Sequence, residues 1–499
     1  MPAASPSWWA SGDGILVPPA SMAAIDRDTI AGGVPGKRLM EAAGRAVARA
    51  MTGRFAPGPV LVLCGPGNNG GDGYACARVL AGAGWRVELA ALGDQRTLRG
   101  DAAWARSTWS GPVATLTPAF LDAPGIVVDG LFGAGLARDL EGTAKAVVER
   151  LRAEHRTVVA IDIPSGIDGA TGGVRGTAPL AALTVTFARA KPGHLLLPGR
   201  THVGELLVTD IGIPDAVVCR HDQGLRVNGV DRWRARVPRR TAEAHKYRFG
   251  HAVVVGGPAH RSGAARLAAE AALRVGAGLV SVACEPDAAP LYAARLTAVM
   301  VKPFDAADGL GELLGDRRLN AWLIGPGFGV GQATRGHVAA ILARRCPTVI
   351  DADALTSFAE CPAELMGMLH DGCVLTPHDG EYARLFRHGG DRLSRARAAS
   401  EEAGAIIVLK GADTVIAAPD GRAAIQPQAP PSLATAGTGD VLAGIVVGLC
   451  AQGMPAFEAA SAAVWLHATA AAACGPGMTS EDLPVQLPGA LAALGGYAG

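Results

Sequence analysis

The chain repeats one local pattern: a short run rich in β-branched residues that ends in Gly, Pro or Asp, followed by an alanine-rich stretch. Such runs are typical of buried parallel strands, and the stretches between them are typical of connecting helices. The sequence therefore predicts an α/β protein with helices on both faces of parallel sheets. The predicted strands are 60–64, 86–92, 126–129, 158–162 and 183–187 in the first half, and 252–255, 279–283, 321–324, 348–351, 374–376 and 406–409 in the second.

The strands form two series that are separated by an arginine-rich stretch at 231–240. We expect this stretch to be a linker, with the domain boundary near residue 235. The two series share no motif spacing, so the sequence predicts two different α/β domains, 1–235 and 236–499. Helical spacing of apolar residues is clearest at 263–275, and 444–473 is also helical in character, with an interruption near Gly453.

Composition narrows the classes of function. The formal net charge is +1 with both signs mixed, which argues against a nucleic-acid-binding surface. The nine cysteines contain no C-x-x-C pair, so we expect neither zinc sites nor a disulfide framework, and a reducing cytoplasm fits best. The N-terminus lacks the pattern of a secretory signal, and no apolar run reaches the roughly 18 residues of a membrane span.

Six residues, Asn-Asn-Gly-Gly-Asp-Gly at 68–73, lie between a predicted strand and a helical stretch. A strand-to-helix turn presents backbone N–H groups and a helix N-terminus, which favour anionic ligands. A structural turn needs one or two glycines, so the added amides and carboxylate indicate a ligand site. The segment 65–70 also matches the glycine spacing of dinucleotide-binding proteins. Such proteins also require an acidic residue after the next strand, and Glu88 and Asp94 fit this requirement only loosely. An ordinary dehydrogenase is therefore less favoured.

More acidic and hydroxyl side chains stand at two further strand ends. Asp129 ends one predicted strand, and Asp162 and Ser165 stand at the end of the next. Ligands bind outside the carboxyl ends of parallel strands, so we expect these side chains to share an edge with the 68–73 motif. Helix capping would account for one or two such acids, but not for the whole set.

This half resembles the YjeF N-terminal family, the NAD(P)H-hydrate epimerases, through NNGGDG at 68–73, VDGLFGAG at 128–135 and AIDIPSGID at 160–168. The resemblance implies a Rossmann-like three-layer domain that holds a hydrated nicotinamide nucleotide beside a potassium ion. Asn69, Asp129 and Ser165 are the implied potassium ligands, and oxygen ligands suit such a hard cation. The implied substrate contacts are Asn68, Asn69, Gly70, Gly71, Asp72, Gly133, Ala134, Gly135, Leu136, Ala137, Arg138, Asp139 and Asp162.

The implied reaction has a simple physical basis. The hydrated ring carries a hydroxyl next to its nitrogen, and loss of that hydroxyl leaves a nitrogen-stabilised cation that water can attack from the other face. A carboxylate near the ring can protonate the leaving oxygen and deprotonate the incoming water. Our hypothesis gives this task to Asp162 and gives Asp72 a structural or phosphate-loop role.

A second glycine–acid motif stands near the C-terminus, Ala-Gly-Thr-Gly-Asp at 436–440. It predicts a turn that opens a helix and an anion pocket of N–H groups. Asp440 is placed to take a proton from a hydroxyl that attacks a phosphoryl group, although it could instead be a simple helix cap. Other strand ends add a glycine-rich loop at 325–329, two acids at Asp351 and Asp353, and polar clusters at 376–381 and 408–415.

These motifs resemble the YjeF C-terminal family, the NAD(P)H-hydrate dehydratases, which share the ribokinase-like fold. The resemblance rests on the His-Lys pair at 245–246 and on GAGLVSV, IGPGFG, DADAL, TPHDGE, VLKGADTV and AGTGDVL, and it covers roughly residues 240–495. It implies that Ala264, Gly327, His378 and Asp440 contact the hydrated nucleotide, and that Lys410, Gly411, Ala412, Asp413, Thr414 and Gly439 hold the adenine nucleotide. Asp379 replaces a proline that is common in the family.

Together the two resemblances imply a bifunctional repair enzyme that uses ADP with Mg²⁺ and forms a homo-oligomer such as a tetramer. It would epimerise the R and S hydrates and dehydrate the S form. Two alternatives remain open. A ribokinase-type kinase would carry the same GTGD turn, although the 325–329 and 376–381 motifs favour a dehydratase. A non-catalytic nucleotide-binding scaffold would be expected to lack the acids, but Asp129, Asp162 and Ser165 are all present.

Overall fold

The computed structural model describes residues 13–239, 245–305 and 310–495. Contacts divide the chain into two compact units, Met1–Leu225 and Arg226–Gly499. Every predicted strand is present, and each of its ends lies within two residues of the predicted one.

The first unit is built on a seven-stranded sheet in which every neighbouring pair is parallel. Its strands are β1 Pro59–Cys64, β2 Arg86–Ala91, β3 Ala114–Thr115, β4 Ile126–Gly130, β5 Val158–Ile161, β6 Ala181–Phe187 and β7 Glu205–Thr209. Its helices are α1 Pro19–Ala31, α2 Gly36–Thr52, α3 Asn68–Gly82, α4 Gly100–Ser107, α5 Gly142–Ala153, α6 Arg200–Val203 and α7 Asp215–Arg220.

The strand order β3-β2-β1-β4-β5-β6-β7 reverses direction between β1 and β4. Alternate residues of β1 enter opposite cores, with Val60 and Val62 on one face and Leu61 and Leu63 on the other. Both faces of the sheet are therefore covered, as the continuous apolar strands predict. The reversal leaves a crevice at the carboxyl ends of β1 and β4, the usual ligand position in such folds.

The second unit contains a ten-stranded sheet in the order β11-β10-β9-β12-β13-β14-β15-β16-β17-β8. The strands are β8 Leu225–Val227, β9 His251–Val255, β10 Leu279–Cys284, β11 Met300–Pro303, β12 Ala321–Ile324, β13 Thr348–Ile350, β14 Cys373–Leu375, β15 Ile406–Leu409, β16 Val415–Ala417 and β17 Ala423–Ile425. Pairing is parallel from β11 to β15 and antiparallel from β15 to β17.

Helices cover this second sheet, and two of them approach very closely. The helices are α8 Ser262–Arg274, α9 Ala289–Arg295, α10 Gly311–Gly315, α11 Gln332–Leu342, α12 Ala352–Thr356, α13 Pro362–Met366, α14 Asp379–Leu385, α15 Arg392–Ala403, α16 Thr438–Ala451, α17 Ala456–Cys474 and α18 Asp482–Ala492. A Cβ on Gly444 of α16 would lie 2.2 Å from the carbonyl oxygen of Ala268 in α8. Only glycine fits this crossing, so α16 lies directly on α8.

The structure differs from the predicted linker at 231–240. The side chains of Trp233 and Val237 are buried in the core of the second unit, with residue exposures of 1% and 6%. Trp233 also donates a hydrogen bond to Asn228, which in turn donates to Gln426. The division between the units therefore falls after Leu225 and not near 235. Residue 240 lies outside the described residues.

Candidate active sites

The first unit has a cavity of about 760 Å³ at the carboxyl ends of β1 and β4. Its walls come from α1 and α2, the start of α3, the loop after β4, and the ends of β5 and β6. The predicted residues that line it are Asn68, Asn69, Asp72, Gly133, Ala134, Gly135, Leu136, Ala137, Arg138 and Asp162. The crevice that the strand order creates thus contains most of the predicted side chains.

The 68–73 motif is the beginning of a helix and not the predicted turn before one, because α3 starts at Asn68. Its glycines are packing residues. A Cβ on Gly70 would lie 2.0 Å from the carbonyl oxygen of Gly65, and one on Gly71 would lie 2.6 Å from the sulfur of Met40. Gly70 and Gly71 are buried and do not line the cavity, and neither does Asp139. The polar members of the motif face the cavity, while its glycines let α3 approach the sheet and α2.

Asp162 has an uncommon backbone conformation, and hydrogen bonds to both of its carboxylate oxygens fix its side chain. Its φ of 65° is uncommon for a residue with a side chain. Oδ1 accepts hydrogen bonds from Lys191 Nζ at 2.7 Å and Thr186 Oγ1 at 2.8 Å, and Oδ2 accepts one from the N–H of Ala134 at 2.9 Å. Burial raises the pKa of Asp162, but Lys191 and these donors outweigh it and lower the pKa to about 2. Asp162 is therefore a fixed anion.

Lys191 was not predicted as a site residue, although it follows β6 at the same edge of the sheet. Its side chain is 3% exposed, and its ammonium group donates to Asp162, to Thr186 Oγ1 at 2.8 Å and to the carbonyl oxygen of Phe187 at 3.4 Å. His194 fixes the segment, because its Nδ1 accepts a hydrogen bond from the Lys191 N–H. The sequence feature that could have indicated Lys191 is its position four residues after the end of β6.

Three further carboxylates, Asp26, Asp72 and Asp101, line the same cavity, and the pKa of two of them is raised. Burial, together with the negative charge of Asp162, raises the pKa of Asp72 well above its ordinary value. Burial also raises the pKa of Asp26, which was not predicted and stands on α1. The cavity therefore combines a carboxylate that stays ionised with carboxyl groups that retain a proton more readily.

Two of the three implied potassium ligands, Asp129 and Ser165, contact each other, and the third, Asn69, lines the cavity. Asp129 and Ser165 are fully buried, and Ser165 Oγ donates to Asp129 Oδ1 at 2.6 Å. Burial raises the pKa of Asp129, which counteracts the bonds that it accepts from Ser165 and Leu131. Nδ2 of Asn69 is buried without a hydrogen-bond partner among the described residues. A Cβ on Gly133 would lie 3.1 Å from Asp162 Oδ2 and 3.2 Å from Asn69 Oδ1, so Asn69 and Asp162 are near neighbours.

In the second unit the ammonium group of Lys410 lies close to acidic side chains from several different segments of the chain. Its Nζ lies 2.8 Å from Asp351 Oδ1 and 3.8 Å from Glu381 Oε2. A Cβ on Gly439 would lie 3.4 Å from the same nitrogen. Burial lowers the pKa of Lys410, but the charges of Asp351, Glu381 and Asp440 outweigh it and raise the pKa. The 436–440 motif and Lys410 therefore share one site.

Asp440 lies in the first turn of α16. Gly437 stands before this helix in the left-handed conformation with a φ of 85°, and no side chain caps the helix. The alternative in which Asp440 is only a helix cap is therefore not supported. Burial, followed by the charge of Asp351, raises the pKa of Asp440 to about 7 despite the opposing effect of Lys410. Near neutral pH the carboxyl group can both hold and release a proton.

His378 begins α14 as a capping residue. Its Nδ1 accepts hydrogen bonds from the N–H groups of Gly380 and Glu381, and Glu381 Oε2 accepts one from the His378 N–H. His378 Nε2 remains 3.5 Å from Glu381 Oε1, and 55% of the side chain is exposed. His378 is thus oriented by α14 and joined through Glu381 to Lys410.

The lysine loop, residues 410–414, is braced by Arg392 of α15. The guanidinium group donates to the carbonyl oxygen of Lys410 at 2.9 Å and pairs with Asp413 at 2.9 Å and Asp379 at 2.7 Å. Arg395 also pairs with Asp379 at 2.9 Å. The acid that replaces the usual proline is therefore part of the support for this loop.

The predicted residues Ala264 and Gly327 also come together. Gly327 has a φ of 64°, and a Cβ on it would lie 3.3 Å from the Cβ of Ala264. The carbonyl oxygen of Gly327 lies so close to Gly257 that a Cβ there would be 1.9 Å away. These contacts place the 325–329 loop beside the start of α8.

Two family models match the chain: the YjeF-related protein N-terminus over residues 36–193 and the NAD(P)H-hydrate dehydratase over residues 252–487. These matches confirm the predicted classes of the two domains. The class of protein is therefore one in which a YjeF N-terminal domain precedes an NAD(P)H-hydrate dehydratase domain.

The relatives match across both halves. The bifunctional NAD(P)H-hydrate repair enzyme Nnr of Moorella thermoacetica is 38% identical, with 88% of each chain covered. The enzyme of the same name from Coxiella burnetii is 34% identical over 90% of this chain and 92% of its own. An ADP/ATP-dependent NAD(P)H-hydrate dehydratase from Bacillus subtilis, co-crystallised with ATP/Mg²⁺, is 28% identical over 54% of this chain and 98% of its own, with a TM-score of 0.46. The chain belongs to the family of bifunctional NAD(P)H-hydrate repair enzymes.

Residues 13–239, 245–305 and 310–495 include no cluster of three or more His, Cys, Asp or Glu side chains arranged to hold a metal ion. Within the same ranges, no helix is long and apolar enough to cross a membrane.

Proposed function

We propose that the chain repairs hydrated NADH and NADPH in two steps. The first unit interconverts the R and S hydrates, and the second converts the S hydrate to NAD(P)H with ADP, which yields AMP and phosphate. The observation that best supports this proposal is that Asn69 and Asp162 approach each other at Gly133, in an acid-rich cavity where the strand order reverses.

The walls of the cavity suit an anionic nucleotide whose ring becomes cationic. The start of α3 and the exposed side chain of Arg138 provide positive potential for the phosphates. Asp162 is held as an anion by Lys191 and by the N–H of Ala134. A fixed negative charge beside the ring stabilises the cation that forms when the hydroxyl leaves.

The set of Asn69, Asp129 and Ser165 fits a potassium ion, with Asp129 and Ser165 fully buried and Asn69 half-buried. These residues offer side-chain oxygens, and Nδ2 of Asn69 has no hydrogen-bond partner among the described residues. Rotating this amide by half a turn would exchange its N and O positions and aim the oxygen inward. When bound, the ion would supply positive charge beside the nucleotide.

In the second unit Asp440 takes the proton of the ring hydroxyl as that oxygen attacks the terminal phosphoryl group of ADP. Lys410 offsets charge on the phosphates, and His378 and the 325–329 loop position the hydrated ring. The phosphate ester then leaves far more readily than hydroxide would. Mg²⁺ commonly uses one or two carboxylates together with nucleotide phosphates, so one or two of Asp351, Asp353 and Asp440 would hold it together with the phosphates of ADP.

The test uses the full-length protein with purified R or S hydrate of NADH, in potassium buffer. With ADP, the S hydrate should regain the absorbance of reduced nicotinamide; without ADP, either hydrate should give a mixture of both. Asp440→Ala should abolish the first reaction and leave the second unchanged, since the epimerase residues all belong to the first unit. A kinase would consume ADP without restoring the absorbance. A scaffold would bind the hydrate and convert neither form.

Three finer properties belong to the same proposal. The resemblance to the bacterial branch of the dehydratases favours ADP over ATP, and replacing ADP by ATP in the assay tests that preference. A homo-oligomer, tetrameric or larger, is proposed from the same resemblance, and light scattering measures it. A cytoplasmic location is proposed from the cysteine pattern, and cell fractionation tests it.

A further inference from the structure

Asp162 and Lys191 are hydrogen-bonded to each other and to neighbouring protein groups. The two oxygens of Asp162 accept three hydrogen bonds, from Lys191, Thr186 and Ala134. All three protons of the Lys191 ammonium have acceptors, the third being the carbonyl oxygen of Phe187. A proton donor must offer an N–H or O–H to the substrate. Neither member of this pair has one to offer without breaking the network.

Asp72 has the opposite surroundings. It lines the same cavity from α3, and no described residue donates a hydrogen bond to its carboxyl group. It lies in the second turn of α3, beyond the first turn where the helix dipole favours a negative charge most strongly. Its two neighbours in the chain, Gly71 and Gly73, are buried. The carboxyl group can therefore donate or accept a proton toward the cavity.

The charged groups around Asp72 come from several elements, and most of them are negative. The side chains that line the cavity with it are Asp26 of α1, Asp101 of α4, Arg138, Asp162 and Lys191. The thiols of Cys64 and Cys76 lie on its other side, and burial raises the pKa of both. Lys191 is the positive group that acts on Asp72, but its charge is already neutralised by Asp162. Retention of a proton by Asp72 follows from this environment.

We propose that Asp72 is the proton carrier of the epimerase, and that Asp162 stabilises the ring cation without exchanging a proton. This assignment rests on the proposed epimerase function. Asp72 in its acid form donates its proton to the ring hydroxyl, the C–O bond breaks, and water departs with the bonding electron pair. Water then attacks the ring cation on the opposite face and gives its extra proton to the Asp72 carboxylate. The cycle ends with the same protonation state, and it consumes no co-reactant.

The experiment measures epimerisation of purified R hydrate without ADP, by chromatographic separation of the two hydrates, for the full-length protein and three variants. Asp72→Asn should lower kcat at least 100-fold, the scale of general acid catalysis. Asp122→Asn is the matched control, because Asp122 is a carboxylate of the same unit that does not line the cavity and has a side chain 70% exposed, and it should stay within a few-fold of the wild type. Thermal denaturation, together with calorimetric titration with the hydrate, shows that each variant folds and binds.

The dependence of kcat on pH separates the roles of Asp72 and Asp162. The wild-type rate should fall as the pH rises through the pKa of Asp72, because the acid form begins the cycle. Asp162→Asn should be slower but keep this fall, whereas the residual rate of Asp72→Asn should lack it. In ¹⁸O-labelled water, each turnover should introduce one labelled oxygen into the hydrate.

Three outcomes would overturn the assignment: full activity of Asp72→Asn, an equal or larger loss in Asp122→Asn, or loss of the pH dependence in Asp162→Asn alone. The wild type distinguishes a failure of the assignment from a failure of the proposed function. A wild-type protein that converts neither hydrate would refute the epimerase itself, whatever the variants do.

Discussion

Replacing Asp440 by asparagine should make the second unit more stable while it removes dehydratase activity. The pKa of Asp440 in the folded protein is about 7, compared with an ordinary value of 3.8. At about 1.36 kcal/mol for each pKa unit, this difference lowers the free energy of unfolding at neutral pH by at most about 4 kcal/mol. Asp440 is partly exposed, and solvent screening reduces this value, so we expect about 2 kcal/mol.

The sign follows from proton binding. Between pH 4 and 7 the folded state holds the Asp440 proton while the unfolded state releases it, so the contribution of Asp440 to stability falls as pH rises through this range. Above pH 7 Asp440 is ionised in both the folded and the unfolded state, and the loss of stability caused by its burial no longer changes with pH. Below pH 4 Asp440 is protonated in both states, and this loss of stability disappears. Asp440→Asn removes this dependence, so its advantage over the wild type should grow from pH 4 to pH 7.

Thermal denaturation at several pH values measures the effect. For a unit of this size, 2 kcal/mol corresponds to a Tm increase of roughly 4–8 °C at pH 8, with almost no difference at pH 4. Asp371→Asn is the control, since the Asp371 side chain is fully exposed. A Tm difference that is the same at pH 4 and pH 8, or a lower Tm for Asp440→Asn at pH 8, would refute the argument from burial.

Three further substitutions test other contacts. Gly133→Ala places a methyl group 3.1 Å from Asp162 Oδ2, so epimerisation should fall at least tenfold, and the reaction with ADP should not change. Arg392→Met removes the brace of the lysine loop and should raise the KM for ADP more than it lowers kcat, whereas Arg395→Met should have a smaller effect; equal effects would contradict the brace. Gly444→Ala forces α16 away from α8 and should cost about 1–3 kcal/mol, which an unchanged Tm would contradict.

The sequence predicted the strands that carry the sites because these strands are apolar on both faces. The strands that it missed are short or lie at edges. β3 has two exposed residues, β7 is half-buried throughout, and β16 and β17 have three residues each. Short strands give too few residues for a periodic pattern.

Local composition also misled the prediction of a linker. Arginines at 232, 234 and 236 look like a solvated segment, yet Trp233 and Val237 between and beyond them are buried. A single buried aromatic residue such as Trp233 produces no periodic pattern of apolar residues in the sequence. The charge of the flanking residues therefore dominated the prediction.

The candidate sites were predictable where a side chain directly ends a strand, as for Asp129 and Asp162. Lys191 was missed because it stands four residues after its strand, and Asp26 because it reaches the cavity from a helix that precedes the sheet. Which acid keeps its proton was beyond sequence reasoning. That property depends on how many donors surround each carboxyl group, and those donors come from separate parts of the chain.

The glycines at the beginning of α3 fit against the backbone of Gly65 and the side chain of Met40, whatever ligand the cavity holds. The packing residues and the chemically active residues are therefore different positions of one short motif, the glycines and the oxygen-bearing side chains. A homologue could keep every glycine, replace the amides and the acid, and still adopt this shape as an inert protein. Surveys that aim to separate working enzymes from such silent homologues should score the oxygen-bearing letters and disregard the glycines.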